Sequence, residues 1–324
     1  MLFTSTAHSD SGELFYFQWS AFMLLSVFLP FNNEEKTLAE VVDRIEQGTH
    51  KAGYNLELIL VDDGSTDGSG MEAKRLADGR DDVKLIQHRI NLGLTVATQR
   101  AIHECNGDFF LRMEADLESH PDEDIPKLMQ KIEEGYDVVC GRRVGRADGK
   151  YFLSVIYNTV SNRLFHMALH DMNWIKVIRK DCLPELELRS DWHRFIPQIL
   201  HAKGFKVTEV DTHWYPREHG TTHFGWTRIP IAFFDAIAVK FILSFTKAPF
   251  RFFGFAGALQ VLLAVAIVIC MLLGKVLGRY AFHARPMLYF VVILFLSGVI
   301  FFFMGFLAEL IVSVRDEVKS LKKK

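Results

Sequence analysis

Leu56-Glu57-Leu58-Ile59-Leu60-Val61 runs directly into Asp62-Asp63-Gly64-Ser65. An apolar run stopped by two acids and a glycine reads as a buried strand whose carboxyl end emerges into a polar turn. Upstream, Leu24–Leu29 is a similar run stopped by Pro30, and Thr37-Leu38-Ala39-Glu40 has the spacing of a capping box opening a helix to about Ala52. Downstream the pattern predicts a helix from about Gly68 to Ala77, a strand at Val83–His88 and a helix at Thr95–Glu104. A strand at Phe109–Met113, a helix at Pro121–Glu134 and a strand at Tyr136–Cys140 follow. Strands separated by helices of about 10–15 residues specify an α/β domain with a mostly parallel sheet and right-handed crossovers. Ligands of such sheets sit at the carboxyl ends of the strands.

Those ends are acidic. Asn32, Asn33, Glu34 and Glu35 follow the first strand, Asp62 and Asp63 the second, and Glu114, Asp116 and Glu118 the fourth. Neither GxGxxG nor GxxxxGK[ST] is present, so the glycine cradles of dinucleotide and P-loop sites are missing. Carboxylates repel a phosphate unless a hard cation stands between them, as Mg2+ or Mn2+ does with carboxylate and phosphate oxygens. The expectation is a metal–nucleotide site. Any one of these acids alone would also be explained as a solvated loop charge.

Composition divides the chain. Hydrophobic residues make up 49% of the 324 residues and charged residues 23%, and many of the 28 phenylalanines fall between 241 and 306. Phe252–Gly274 and Pro286–Ala308 are uncharged stretches of 23 residues each. As helices each would span roughly 34 Å, against a hydrocarbon core of about 30 Å. Eight basic residues flank the pair on the outside (Lys240, Lys247, Arg251, Arg315, Lys319, Lys322, Lys323, Lys324) and three lie between (Lys275, Arg279, Arg285). This bias predicts a multi-pass plasma-membrane (inner-membrane) protein with both termini and residues 1–250 in the cytoplasm. The expected organisation is an extension over 1–23, a catalytic domain over 24–226 and amphipathic interface helices over 227–250. A two-helix anchor over 251–314 (spans 252–274 and 286–309) and a basic tail over 315–324 complete it.

With 37 Lys+Arg against 39 Asp+Glu the net charge is −2, which gives no electrostatic case for nucleic acid. The four cysteines form no CxxC pair, so neither a zinc ribbon nor a disulfide framework is expected. Residues 1–20 lack the order of a signal peptide, and Met23, directly before the first strand, is a second candidate initiator.

Taken in order, the motifs carry a resemblance. Val27-Phe28-Leu29-Pro30-Phe31-Asn32-Asn33-Glu34-Glu35, Val61-Asp62-Asp63-Gly64-Ser65-Thr66-Asp67-Gly68 and Glu114-Ala115-Asp116-Leu117-Glu118 resemble a family-2 glycosyltransferase of the GT-A fold. Gly135-Tyr136-Asp137-Val138-Val139 with Gly141-Arg142-Arg143 continues it. Trp192-His193-Arg194-Phe195-Ile196-Pro197 and the stretch from Pro216 to Gly225 narrow it. They resemble the polyprenyl-phosphate branch, which includes dolichol-phosphate mannose synthases and undecaprenyl-phosphate sugar transferases. The likeness runs from about Leu24 to the end of the chain.

The resemblance implies a GT-A catalytic domain followed by interface helices and two transmembrane helices. It also implies roles: Pro30, Asn32, Glu34, Asp62, Asp63 and Glu114 toward the donor nucleotide, and Glu114, Asp116 and Glu118 toward Mg2+ or Mn2+. Arg142, Arg143, Lys176 and His223 fall toward the acceptor phosphate. Asp116, Arg143, Arg179, Arg194 and Arg217 fall in the catalytic set. The implied reaction is inverting transfer of a sugar from a nucleotide diphosphate, UDP favoured over GDP-mannose, to polyprenyl (undecaprenyl) phosphate at the cytoplasmic face of the bilayer. A small homo-oligomer fits the family. Three positions depart from the pattern: Glu114 for the first Asp of DxD, Asn32 for an aromatic and His223 for a Lys. The extra methylene of Glu114 leaves two arrangements, a relaxed site that includes it or Asp116 with Glu118 carrying the ion. The rival functions are a catalytically impaired nucleotide-sugar binder on the membrane and a processive polysaccharide synthase. The second is disfavoured by two spans and no QxxRW.

Overall fold

The computed structural model describes residues 23–145, 151–186, 188–189, 191–217, 228–245, 249–277 and 285–322. Among these, β1 (Leu24–Phe31), α1 (Leu38–Ala52), β2 (Asn55–Asp62), α2 (Ser69–Ala77), β3 (Val83–Gln87) and α3 (Leu94–Glu104) alternate as expected. Then come β4 (Phe109–Arg112), α4 (Pro121–Glu133), β5 (Val138–Val144), α5 (Tyr151–Phe165), β6 (Lys176–Arg179), α6 (Ile196–Ala202) and β7 (Val207–His213). Three long helices close the chain: α7 (Arg228–Phe245), α8 (Pro249–Val276) and α9 (Arg285–Lys322).

The strands form one sheet in the order β3-β2-β1-β4-β6-β5-β7. β1 pairs in parallel with β2 and β4, β2 with β3, and β5 with β7. β6 alone is antiparallel, wedged between β4 and β5. The register aligns the strand ends: Phe31 stands beside Asp62, and Phe28 beside Arg112. Because β6 runs the other way, its first residue, Lys176, lies opposite both Arg112 and Cys140 at the carboxyl edge. The core is apolar residues of β1, β2, β4 and β6 packed against α1 and α4, with Val27, Leu29, Leu58, Leu60, Leu111 and Val177 fully buried. A buried polar knot ties the opposite edge. Glu57 takes the Ser26 hydroxyl, the Asn106 amide groups and the Lys84 ammonium, so its buried carboxylate is fully satisfied.

Two expectations change. Thr37 does not form a capping box; its hydroxyl donates to the Ala115 carbonyl at 2.6 Å and ties the start of α1 to the loop after β4. The fifth strand lies later than its apolar run suggested, from Val138 to Val144. Pairing with β7 continues through Gly141, Arg142 and Arg143 despite their polarity. Gly141 makes this possible, since a Cβ there would stand 2.6 Å from Ile175 Cγ1 and 2.9 Å from Trp174 Cδ1.

The chain divides into two compact units, Met1–Ala236 and Ile237–Lys324. In the second, α8 and α9 lie against each other at a close glycine crossing, with the Gly257 and Gly298 carbonyls each near the position of the other's missing Cβ. The Ser297 hydroxyl donates to Gln260 Oε1 at 2.6 Å, so the polar group in each helix satisfies the other. Pro249–Val276 and Pro286–Val318 have mean hydropathies of 2.7 and 2.8 and lengths sufficient to cross a membrane. Most of their large apolar side chains are exposed, which suits a lipid surround and not a water one.

Gly141→Ala should cost about 1–3 kcal/mol, the usual range for overpacking. Thermal unfolding of detergent-solubilised Gly141→Ala, Ile175→Ala and the double variant checks this, because the added Cβ meets Ile175 Cγ1. A loss at Gly141 that does not shrink in the Ile175→Ala background would remove the close-approach argument.

Candidate functional site

The carboxyl ends of β1, β2, β4 and β5 bring most of the expected residues together. After β1, Asn33 adopts a left-handed backbone (φ 61°), which asparagine tolerates better than most side chains. Its Oδ1 accepts from the Thr66 and Asp67 amides at 2.8 and 3.3 Å, clasping the turn after β2. Asn32 donates to the Asp63 carbonyl at 2.8 Å, and the Glu34 amide donates to Ser69 Oγ at 2.8 Å. These contacts make one surface of the turns after β1 and β2.

Asp62 and Asp63 are engaged by the protein itself. Asp62 accepts from the Ser65 amide at 2.8 Å and from Gln87 at 3.3 Å. Asp63 accepts from the Leu92 and Gly93 amides, each at 2.9 Å, and contacts His88 Nδ1 at 2.8 Å. Asp63 thereby folds the segment after β3 over the end of β2.

The loop after β4 is built around acids. Leu117 holds a left-handed backbone (φ 57°), a strained choice for a bulky residue. It is held there because Asp116 Oδ1 accepts the Glu118 amide at 3.2 Å and the Glu118 carbonyl accepts the Tyr215 amide at 3.0 Å. Arg217, arriving after β7, ion-pairs with Asp116 and places Nε 3.5 Å from Glu118. Trp214 Nε1 donates to Glu118 at 3.2 Å. One guanidinium therefore stands between two carboxylates. Burial, reinforced by Asp116, pushes the Glu118 carboxyl up. Glu34 is pushed up to about 7 by burial, with Arg217 pulling down and Asp116 pushing up.

Glu114 turns away from this pair. It contacts Arg112, and burial pushes its carboxyl up against the pull of that guanidinium. Among the described residues no three His, Cys, Asp or Glu side chains are gathered closely enough to hold a metal by themselves. The triad Glu114, Asp116 and Glu118 is thus not a preformed cage. Asp116 and Glu118 already bracket one cationic group with hard oxygen donors, and this pair fits a Mg2+ or Mn2+ ion that takes its remaining ligands from phosphate and water.

On the other flank the partly buried Arg143 pairs with Asp171 (2.6 and 3.1 Å) and lies 4.6 Å above the Trp174 ring. Arg142 reaches Asp211 at 3.5 Å, and Arg194 reaches Asp191 at 3.4 Å. Lys176 is fully buried. Arg179 is not part of the site. It pairs with Phe109 at the opposite edge of the sheet and donates to the Tyr136 and Ile132 carbonyls at 3.0 and 2.7 Å, closing the end of α4. The antiparallel direction of β6 separates it from Lys176 by the length of the strand. Pro30 sits within β1 opposite Val61, and His223 lies outside the described residues.

Sequence reasoning missed Arg112, Asp171, Trp174 and Trp214. Arg112 did leave a signal, as a charge in the otherwise apolar run Phe109-Phe110-Leu111-Arg112-Met113.

Residues 26–182 match the family model described as glycosyl transferase family 2. The dodecaprenyl-phosphate galacturonate synthase of Rhizobium johnstonii is 30% identical over 296 residues, covering 89% of this chain and 87% of that protein. The undecaprenyl-phosphate 4-deoxy-4-formamido-L-arabinose transferase of Pseudomonas fluorescens is 28% identical over 310 residues, covering 91% and 86%. Among solved structures, glucosyl-3-phosphoglycerate synthase from Mycobacterium tuberculosis, in complex with Mn2+, UDP-glucose and phosphoglyceric acid, superposes with a TM-score of 0.54. It is 20% identical and covers 74% of this chain and 85% of that one. The shared fold is GT-A.

A raised carboxyl binds its proton more tightly in the folded than in the unfolded chain, so it stabilises the fold at low pH. That contribution is lost as pH rises from the ordinary carboxylate range through about 7 for Glu34. Glu34→Gln should therefore be more stable than the parent at pH 8, with the difference closing toward pH 5. Paired thermal melts across that range test this, and a difference independent of pH would overturn it.

Proposed function

The chain belongs to glycosyl transferase family 2, and from that premise we propose that it moves a sugar from a nucleotide diphosphate to polyprenyl phosphate, with inversion at the anomeric carbon. A UDP-linked donor is favoured over GDP-mannose. The observation that carries the reading is the convergence of Asp116, Glu118, Arg217 and Arg143 at the strand ends of a chain that continues into two helices of membrane-crossing length. The similarity to relatives named for polyprenyl-phosphate acceptors, over about nine-tenths of this chain, supports the same acceptor class.

The turns after β1 and β2, with Asn32, Asn33, Glu34 and Asp62, would hold the nucleoside, on a backbone that Asp63 fixes. Asp116 and Glu118 would hold a divalent ion, which when bound supplies charge neutralisation to the leaving diphosphate. Arg217 adds a cation on that side, while Arg143, fixed by Asp171 and Trp174, presents one to the acceptor phosphate. A phosphate oxygen is already anionic at neutral pH, so it attacks without a strong general base. Rate enhancement then comes from positioning and fixed charge. The rigid Arg143–Asp171 pair serves this by giving up little rotamer freedom when the acceptor arrives. The flanking charge bias supports a cytoplasmic side for the catalytic unit and both termini.

Membranes containing the protein, supplied with polyprenyl phosphate, Mn2+ and a panel of labelled UDP- and GDP-sugars, should form a lipid-linked sugar. Asp116→Ala should reduce that activity by roughly 100-fold or more while the protein stays folded in the membrane. Nucleotide binding without any lipid-linked product would favour the impaired-binder reading instead. Full activity in Asp116→Ala would remove the metal assignment.

A further inference from the structure

Below the acid loop, the end of β4 meets the start of β6, and Arg112 and Lys176 are directly opposed in an antiparallel pair. Opposed residues of such a pair project from the same face, and like charges placed so destabilise a sheet. Here the burial is nearly complete, with Lys176 0% and Arg112 4% exposed. Among the described residues, Lys176 Nζ has no hydrogen-bond partner, and neither do Arg112 Nε and Nη1. Such atoms cost free energy unless something satisfies them.

The local charge does not balance. Glu114 contacts Arg112 and is the one carboxyl group set against two cationic side chains. Arg143 and Asp171 neutralise each other. His193, whose Nδ1 contacts the Thr95 hydroxyl at 2.8 Å, is pushed down to about 2 by burial and by Arg112, so it contributes no charge at neutral pH. Lys176 is pushed down to about 8 by burial, which leaves it mostly protonated at pH 7. Arg112 and Lys176 thus face a single carboxyl group, and positive charge is in excess here.

An anionic ligand supplies the acceptors that the open Arg112 and Lys176 donors lack. The phosphates of the proposed reaction have other partners. The diphosphate belongs to the Asp116–Glu118 loop, and the acceptor phosphate to Arg143, three residues beyond Cys140, which is opposed to Lys176. Arg112 closes β4, four residues before Asp116, so a group that reaches it lies deeper in the sheet than the diphosphate. On a nucleotide sugar, that group is carried by the end of the sugar remote from the anomeric carbon.

We propose that Arg112 and Lys176 bind a carboxylate carried by the donor sugar, so that the donor class is a nucleotide-linked uronic acid. The assignment rests on the transferase reading above, and it makes these two side chains determinants of donor specificity.

The test uses the full chain in membranes with polyprenyl phosphate and Mn2+, comparing UDP-galacturonate and UDP-glucuronate with UDP-galactose and UDP-glucose. One uronate should exceed its neutral counterpart in kcat/KM on the order of 100-fold, because the neutral sugar leaves Lys176 Nζ and two Arg112 nitrogens without an acceptor. Lys176→Met and Arg112→Gln should bring that ratio toward one. Lys176→Met should also raise the melting temperature of the donor-free protein, since it removes an unpaired buried charge. Neutral sugars transferred as well as or better than uronates would overturn the uronate assignment and leave glycosyl transfer standing. A Lys176→Met protein that fails to fold, or that keeps full uronate selectivity, would assign Lys176 to the fold. Absence of lipid-linked product from every UDP- and GDP-sugar would remove the transferase reading and this inference with it.

Discussion

The guanidinium of Arg217 between Asp116 and Glu118 is the interaction on which the site depends. Two carboxylates two residues apart, both partly withdrawn from water, repel each other, and Asp116 adds to the burial that pushes the Glu118 carboxyl up. The strained Leu117 between them is tolerable because the amide of Glu118 and the carbonyl of Glu118 are both used, one by Asp116 and the other by Tyr215. Arg217 completes this arrangement by placing positive charge where the acids converge. Its position two residues past Tyr215 means that the segment after β7 and the loop after β4 order each other. The acidic loop is therefore shaped to present a cation before any ligand arrives.

The same accounting explains why the turn acids differ in availability. Asp63 is consumed by two backbone amides and a histidine, so its role in the described structure is to fold the segment after β3. Glu34 has no such set of donors, and burial pushes its carboxyl up to about 7, with Arg217 pulling it down and Asp116 pushing it up. Acids that look alike in sequence thus separate into those that hold backbone and those that face charge. Burial and donor count decide which.

Much of this was legible in the sequence, because alternation of apolar runs and helical periodicity is a strong signal and the strand ends fall where the runs stop. Leu56–Val61 fixes a buried strand on its own, and Asp62-Asp63-Gly64 its end. What escaped depends on topology. Nothing in the residues of β6 declares that it runs antiparallel between β4 and β5, yet that direction puts Lys176 at the carboxyl edge and Arg179 at the opposite one. Four residues of one strand then divide between a buried site wall and the closure of a helix. Thr37 escaped for a similar reason: its spacing to Glu40 fits a capping box, but the nearer partner in space is a carbonyl in another loop.

Charge in the catalytic unit is layered by depth, and the layering follows from how strands end. At the mouth, loop residues can carry acids, because water or a hydrated cation compensates them. Inside the sheet no such compensation exists, and a charge survives only with a partner fixed by register. Arg143 has one in Asp171, but Arg112 and Lys176 share a single glutamate. Replacing either by an apolar residue of similar volume would relieve the imbalance at no cost to packing, as buried charges generally allow. A fold that keeps two opposed cations at this depth retains a destabilising element, and function is the physical ground on which such an element persists. An anion that enters past Asp116 and Glu118 without being repelled by them must arrive attached to something those residues hold through a cation. On the proposed reading a nucleotide diphosphate meets that condition, and the sugar it carries would be the part that extends inward.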